Sequence, residues 1–228
     1  MEPSVLLLRH GQASFGAADY DVLSGTGLRQ AARLGEELRA RVPGISAVVS
    51  GTMRRQRETA DACLHAMGLG PDVPRVFDPA WNEFDHVEVL RVYEPRWADQ
   101  AAFDASVDVG TSVEAFDRLF LAAVARWTSG ENDGEYLEPW PAFLGRVDAG
   151  LKRISPGASG PVLVFTSGGP IAAACRKPLG AKQPSEVLSH AFRVANASIT
   201  AFENGEGGFA LASFNDHAHL SGALLTFR

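Results

Sequence analysis

Three short stretches of this chain carry residues suited to gripping and attacking an anion. The apolar run SVLLL (4–8) ends on Arg9, His10 and Gly11; Ser50 is soon followed by Arg54, Arg55 and Arg57; TSGGP (166–170) sets two glycines before a proline. A guanidinium is planar, permanently charged and able to hold two phosphate oxygens at once. A neutral imidazole can attack phosphorus and carry the phosphoryl group covalently. Gly11 lets the backbone approach an anion closely. Backbone N–H groups left open by the glycines at a helix start add an anion site of their own. Taken singly, an Arg-His pair is commonly a surface pair, SGG a turn, and an arginine-rich helix start a solvated face. Joint placement is what would turn them into a site for phosphoryl chemistry.

That placement depends on the elements between them. SVLLLR (4–9), ISAVVS (45–50), GPVLVFTS (160–167), ASITAFE (197–203) and GFALASF (208–214) read as strands, the first three as continuous apolar runs covered on both faces. ENGEGG (203–208) is the turn of a hairpin joining the last two. A helix is expected from Gly27 to Arg41, with Leu28, Ala31, Ala32, Gly35 and Leu38 on one face. A second covers 52–68, with Thr52 as N-cap and a closing glycine. A third covers 168–180, with Pro170 at its first position. Alternation of strand and helix predicts an α/β fold, a three-layer α/β/α sandwich with a mainly parallel sheet. Ligands of such sheets bind beyond the carboxyl ends of the strands, where Arg9-His10-Gly11, Ser50 and TSGGP all fall.

Between about 78 and 145 the pattern is helical and holds all four tryptophans, Trp81, Trp97, Trp127 and Trp140. SVEAFDRLFLAAVARW (112–127) is amphipathic, with Val113, Phe116, Phe120, Val124 and Trp127 on one face. We expect one domain over 1–228 with a helical insertion at about 78–145 covering the carboxyl edge, its aromatics packed as core.

Bulk properties exclude other classes. With 46% hydrophobic and 21% charged residues the chain has the composition of a globular protein, and a net charge of −6 offers no footprint for nucleic acid or an anionic membrane. No run approaches the roughly 20 apolar residues of a membrane span. Cys63 and Cys175 suggest neither a disulfide framework nor a metal site. Val5 to Leu8 is too short for a signal peptide core, so the glycosylation match NAS (196–198) is empty, and the expected location is cytoplasmic.

Taken together, LLLRHGQAS resembles the signature of the histidine phosphatase superfamily, which includes phosphoglycerate mutases and many small phosphatases. SGTMRRQRETA (50–60) is similar to the family's serine-proline-leucine-x-arginine-alanine-x-glutamine-threonine-alanine stretch, and aligning ETA puts the family's phosphate-binding arginine at Arg55. LSGTGLRQAARLGEEL (23–38), NASIT (196–200) and NDHAHL (215–220) resemble further parts of it. WNEFDH (81–86) sits where the family keeps its acid, which gives that role to Glu83. The resemblance implies that His10 becomes a phosphohistidine and that Arg9 and Arg55 balance charge on the phosphoryl oxygens. It implies that Glu83 protonates the leaving oxygen and then activates water. It calls for a small phosphorylated substrate, no cofactor and no metal.

The chain departs from the family once where it matters. The second histidine, before the glycines of the third block, is Ser167 here, so Ser167 and Gly168 are the phosphate-binding candidates on that loop. The implied activity is a phosphatase. The alternatives are a mutase or a catalytically weak phosphate-ester binder, which the loss of a cationic donor would favour. His217 and His219 are possible replacements but read as structural. His86 could line the pocket, His65 and His190 have no partners in sequence, and a metal site at Glu83, Asp85 and His86 lacks a distant ligand.

Overall fold

The computed structural model describes residues 4–14, 21–70, 73–98, 113–154, 160–205 and 208–227, with 97–98 and 113–117 as backbone alone. Its sheet has six strands: β1 (Val5–Arg9), β2 (Ala47–Ser50), β3 (Arg75–Phe77), β4 (Val162–Thr166), β5 (Ile199–Gly205) and β6 (Gly208–Asp216). Their order is β3-β2-β4-β1-β5-β6; the first four are parallel, while β5 and β6 pair antiparallel. The helices described are α1 (Gly25–Arg41), α2 (Arg54–Ala66), α3 (His86–Tyr93), α4 (Val113–Thr128), α5 (Trp140–Arg153), α6 (Gly168–Cys175) and α7 (Pro184–Arg193).

The continuous apolar runs of β1 and β4 divide between two faces because successive strand side chains point opposite ways. Val5, Leu7, Val162 and Val164 join one core with Trp81, Trp127 and Phe143. Leu6, Leu8, Leu163 and Phe165 join the other with Leu34, Leu38 and Leu64 of α1 and α2. The sheet is thus sandwiched between helical layers, as the alternating pattern predicted. Trp81, Trp127 and Trp140 are buried in the first core. They serve there as packing, as expected; the side chain of Trp97 lies outside the described residues.

Register then delivers the chemistry. Arg9 pairs with Thr166 and Ser50 with Phe165. One residue further, His10 N donates to Thr166 O at 2.9 Å and Gly51 N to Phe165 O at 3.0 Å. His10, Gly51 and Ser167 therefore emerge side by side at the carboxyl edge.

Several local expectations need correction. Leu28 is exposed; the inward face of α1 is Gly27, Gln30, Ala31, Leu34, Gly35 and Leu38. Ser24, one turn earlier, caps that helix by accepting from Gly27 N. Thr52 does not cap α2. It bonds instead to Asn82, and Asp21 Oδ2 accepts from Arg54 N at 2.7 Å. A carboxylate brought from a distant turn has replaced the local hydroxyl, which sequence spacing does not reveal. α6 ends at Cys175, and Pro170 is its third residue, still within the first turn where a missing N–H costs nothing. The short edge strand β3 was not anticipated; α3 and the start of α5 fall in the stretch expected to be helical, and α5 runs on past 145 to Arg153. Val113 and Phe116 fall outside the described side chains, while Val124 and Trp127 are buried as expected.

Candidate functional site

His10 directly follows β1, with 4% of its surface exposed. Its Nδ1 lies 2.7 Å from the Gly11 carbonyl, which can only accept, so Nδ1 carries the proton and Nε2 holds the lone pair. Burial first, then the positive fields of Arg55 and Arg9, hold the imidazole pKa well below its usual range; the Gly11 carbonyl opposes them only in part. The ring is a neutral base with its nucleophilic nitrogen defined by the local backbone.

Arg55 reaches it from the first turn of α2, its Nε donating to His10 Nε2 at 3.3 Å. Its Nη1 pairs with Asp21 Oδ1 at 2.7 Å and its Nη2 contacts Met53 Sδ at 3.3 Å. Arg54 instead points to solvent against Glu58, and Arg57 is exposed. Arg55 is thus the one of the three set beside the imidazole. Arg9 contributes its field to His10, while its Nη1 donates to the carbonyls of Val194 and, at 3.2 Å, Phe227.

Glu83 comes from the loop after the 3-10 turn Pro79–Trp81. Its Oε2 accepts from Gly169 N at 3.0 Å, so the carboxylate sits on the N-terminus of α6. A Cβ on Gly169 would collide with Glu83 Oε1 where the carboxylate now sits. A Cβ on Gly168 would press against the Ala191 carbonyl of α7. The structure brings His10, Arg55, Glu83, Ser167 and Gly168 to one edge, with Arg9 directly behind.

Ser167 is fully buried and held by a residue that the sequence reading passed over. Gln56 Nε2 donates to Ser167 Oγ at 2.8 Å and to Trp81 O at 2.9 Å. Because the carbonyl only accepts, the amide nitrogen must face this way, and Ser167 Oγ must accept. The hydroxyl proton is left to donate elsewhere, and among the described residues it has no acceptor. Gln56 stands where the family stretch has alanine, next to Arg55; that departure was the available signal. Asp21 was also missed, lying far from α2 in sequence.

His217 and His219 are held by backbone carbonyls. His217 Nδ1 lies 2.7 Å from Asn215 O and the buried His219 Nε2 lies 3.0 Å from Ala197 O. His86 begins α3, and its pKa is lowered by burial and then by the field of Arg55. Asp85 spends its carboxylate on the α3 N-terminus, accepting from Val87 N and Glu88 N. Among the described residues no group of three or more His, Cys, Asp and Glu could hold a metal. Asn196, of the NAS match, is buried and bonded to His10 O and Thr226. Among the described residues no helix is long and apolar enough to cross a membrane.

Fold and geometry define a class: a mixed α/β sheet presenting a buried neutral histidine and an arginine at its carboxyl edge. A model of the histidine phosphatase superfamily (branch 1) matches residues 5–217, and the chain belongs to that superfamily. A Citrobacter koseri protein named "Probable phosphoglycerate mutase GpmB" is 30% identical over 137 residues, 53% of this chain; the chain spans 61% of that relative's length. The phosphoglycerate mutase of Bacillus anthracis superposes with a TM-score of 0.62 at 20% identity, over 96% of each chain. The mycobacterial glucosyl-3-phosphoglycerate phosphatase superposes with a TM-score of 0.59 at 22% identity, over 93% of this chain and 98% of that one. Phosphatases and mutases share this architecture.

Proposed function

We propose that the protein is a phosphatase that hydrolyses a small phosphomonoester through a phosphohistidine on His10, without a metal. The observation that carries this is the His10 ring itself: neutral, with Nδ1–H on the Gly11 carbonyl and Nε2 aimed at Arg55. In the first step Nε2 bonds to phosphorus and the ester P–O bond breaks. Arg55 yields its contact with Nε2 and takes up charge on the phosphoryl oxygens, the work that dominates phosphoryl transfer. Glu83 gives its proton to the departing alkoxide. In the second step Glu83 takes a proton from water as its oxygen bonds to phosphorus and the P–Nε2 bond breaks, releasing inorganic phosphate and returning His10 to its neutral form. The Ser167 hydroxyl, oriented by Gln56, supplies a neutral donor to a phosphoryl oxygen.

The experiment is to quench turnover of an aryl phosphate in acid, neutralise rapidly and map the adduct by mass spectrometry, in wild type and His10→Ala. An alkali-stable, acid-labile phosphoramidate on His10, absent from the variant, is expected. Label on Ser167 would overturn the assignment. A second reading, a phosphate-ester binder with little turnover, is favoured by the uncharged Ser167. It predicts saturable phosphate binding with no adduct and no release of alcohol.

A further inference from the structure

The segment that carries Glu83 is gripped by a side chain 63 residues away in sequence, Arg146 of α5. Arg146 Nη1 donates to the carbonyls of Asn82 (2.7 Å), Ala80 (2.9 Å) and, more weakly, Pro79 (3.4 Å), and Nη2 reaches that of Glu83 at 3.4 Å. The other edge of the guanidinium is locked by Glu138, Nε to Oε1 at 2.5 Å and Nη2 to Oε2 at 3.0 Å. Its plane lies over the Phe143 ring, 4.7 Å from the centroid. The one remaining carbonyl of residues 79–83, that of Trp81, accepts from Gln56 Nε2 and from Thr166 Oγ1 at 2.7 Å. Every carbonyl of this turn is thus assigned, and a cation sits where the 3-10 turn concentrates its unpaired oxygens.

Only arginine has a fork of donors broad enough for this task. Glu138 neutralises the cation locally, so what Arg146 transmits to the site is geometry. The far side of the turn is held through Thr52 and Asn82, Thr52 N donating to Asn82 Oδ1 at 2.7 Å. Between these two anchors the Glu83 backbone has little room to move, and its side chain reaches Gly169 N. We propose that Arg146 is a positioning residue: with Glu138 it holds the 79–83 turn so that the Glu83 carboxyl meets the leaving oxygen. The proposal rests on reading Glu83 as the general acid.

A group that only stabilises the fold slows every substrate alike, whereas one that places the acid matters in proportion to the leaving group's need for a proton. The test compares kcat/KM of the full chain on dinitrophenyl phosphate, whose phenolate departs unprotonated, with that on glycerol phosphate, whose alkoxide needs a proton. Arg146→Met should lower turnover of glycerol phosphate about 10²-fold, the scale of a misplaced catalytic group, and that of dinitrophenyl phosphate less than about threefold. Glu83→Gln should show the same selectivity. Arg146→Lys keeps the charge without the fork and should show a smaller effect of the same sense; it carries the test should the methionine variant not fold. Equal losses on both esters, or none, in the Arg146 variants while Glu83→Gln remains selective would overturn the proposal alone. Loss of selectivity in Glu83→Gln as well would overturn the reading of Glu83 and the proposal with it.

Discussion

Ser167 and Gln56 make a matched pair at the position where the family resemblance led us to expect a second histidine. Both are fully buried, and the Gln56 amide also bonds to the Trp81 carbonyl, so neither can be exchanged without disturbing the other. Installing the histidine alone, Ser167→His, should overfill the site and destabilise the protein by ~1–3 kcal/mol. Removing the amide at the same time, in Gln56→Ala/Ser167→His, should recover part of that loss, giving a coupling of ~0.5–3 kcal/mol between the two positions. Melting temperatures and aryl phosphate turnover across pH would be measured for both single variants and the double. Any rate gained from the restored histidine should grow as pH falls toward ~6.5, where the imidazole becomes cationic. A single Ser167→His variant that is faster and no less stable would show that the site was never repacked around the hydroxyl.

Helix α1 begins in backbone contact with the turn that follows His10. A Cβ on Gly27 would strike the Gln12 backbone, and one on Gly11 would strike Gly27. The contact seats α1 against the Gly11–Gln12 turn, and the carbonyl of Gly11 sets the His10 tautomer. Gly27→Ala should therefore cost ~1–3 kcal/mol and lower turnover as well, since the turn must shift to make room. The same substitution should have the opposite sign in α5. Gly145 lies mid-helix with open space around its would-be Cβ, so Gly145→Ala should stabilise by ~0.5–1 kcal/mol. Urea unfolding of the two variants checks both signs; a destabilised Gly145→Ala or a neutral Gly27→Ala would contradict the packing described.

Three histidines on different elements, His10 and His219 buried and His86 half-buried, make the whole molecule sensitive to acid in one direction. His10, His86 and His219 all have pKa values lowered first by burial. The folded state favours their neutral forms, so below the ordinary value of ~6.5 the unfolded chain binds protons that the folded chain does not. Their contribution to stability is therefore complete above ~6.5 and declines as pH falls below it. For His10 alone the decline is at most ~1.4 kcal/mol per pH unit. Urea midpoints between pH 7.5 and 5.5 at constant ionic strength should fall in the wild type and fall less steeply in His10→Gln. Identical slopes would mean that His10 titrates normally in the fold.

Much of this architecture was legible in local pattern. Three continuous apolar runs announced strands, two of them (β1 and β4) buried on both faces, and the residues ending the runs announced a carboxyl-edge site, because strand period and end position are properties of consecutive residues. The motif register also picked out Arg55, and the structure sets that residue beside His10. What tertiary structure alone decided is which groups meet across the chain. Asp21 caps α2 and pairs with Arg55, Gln56 orients Ser167, the Gly169 amide receives Glu83, and Arg146 holds the turn from 63 residues away. None of these pairings has a sequence period, because a hydrogen bond depends on distance in space and the sheet order brings together segments that the chain keeps far apart.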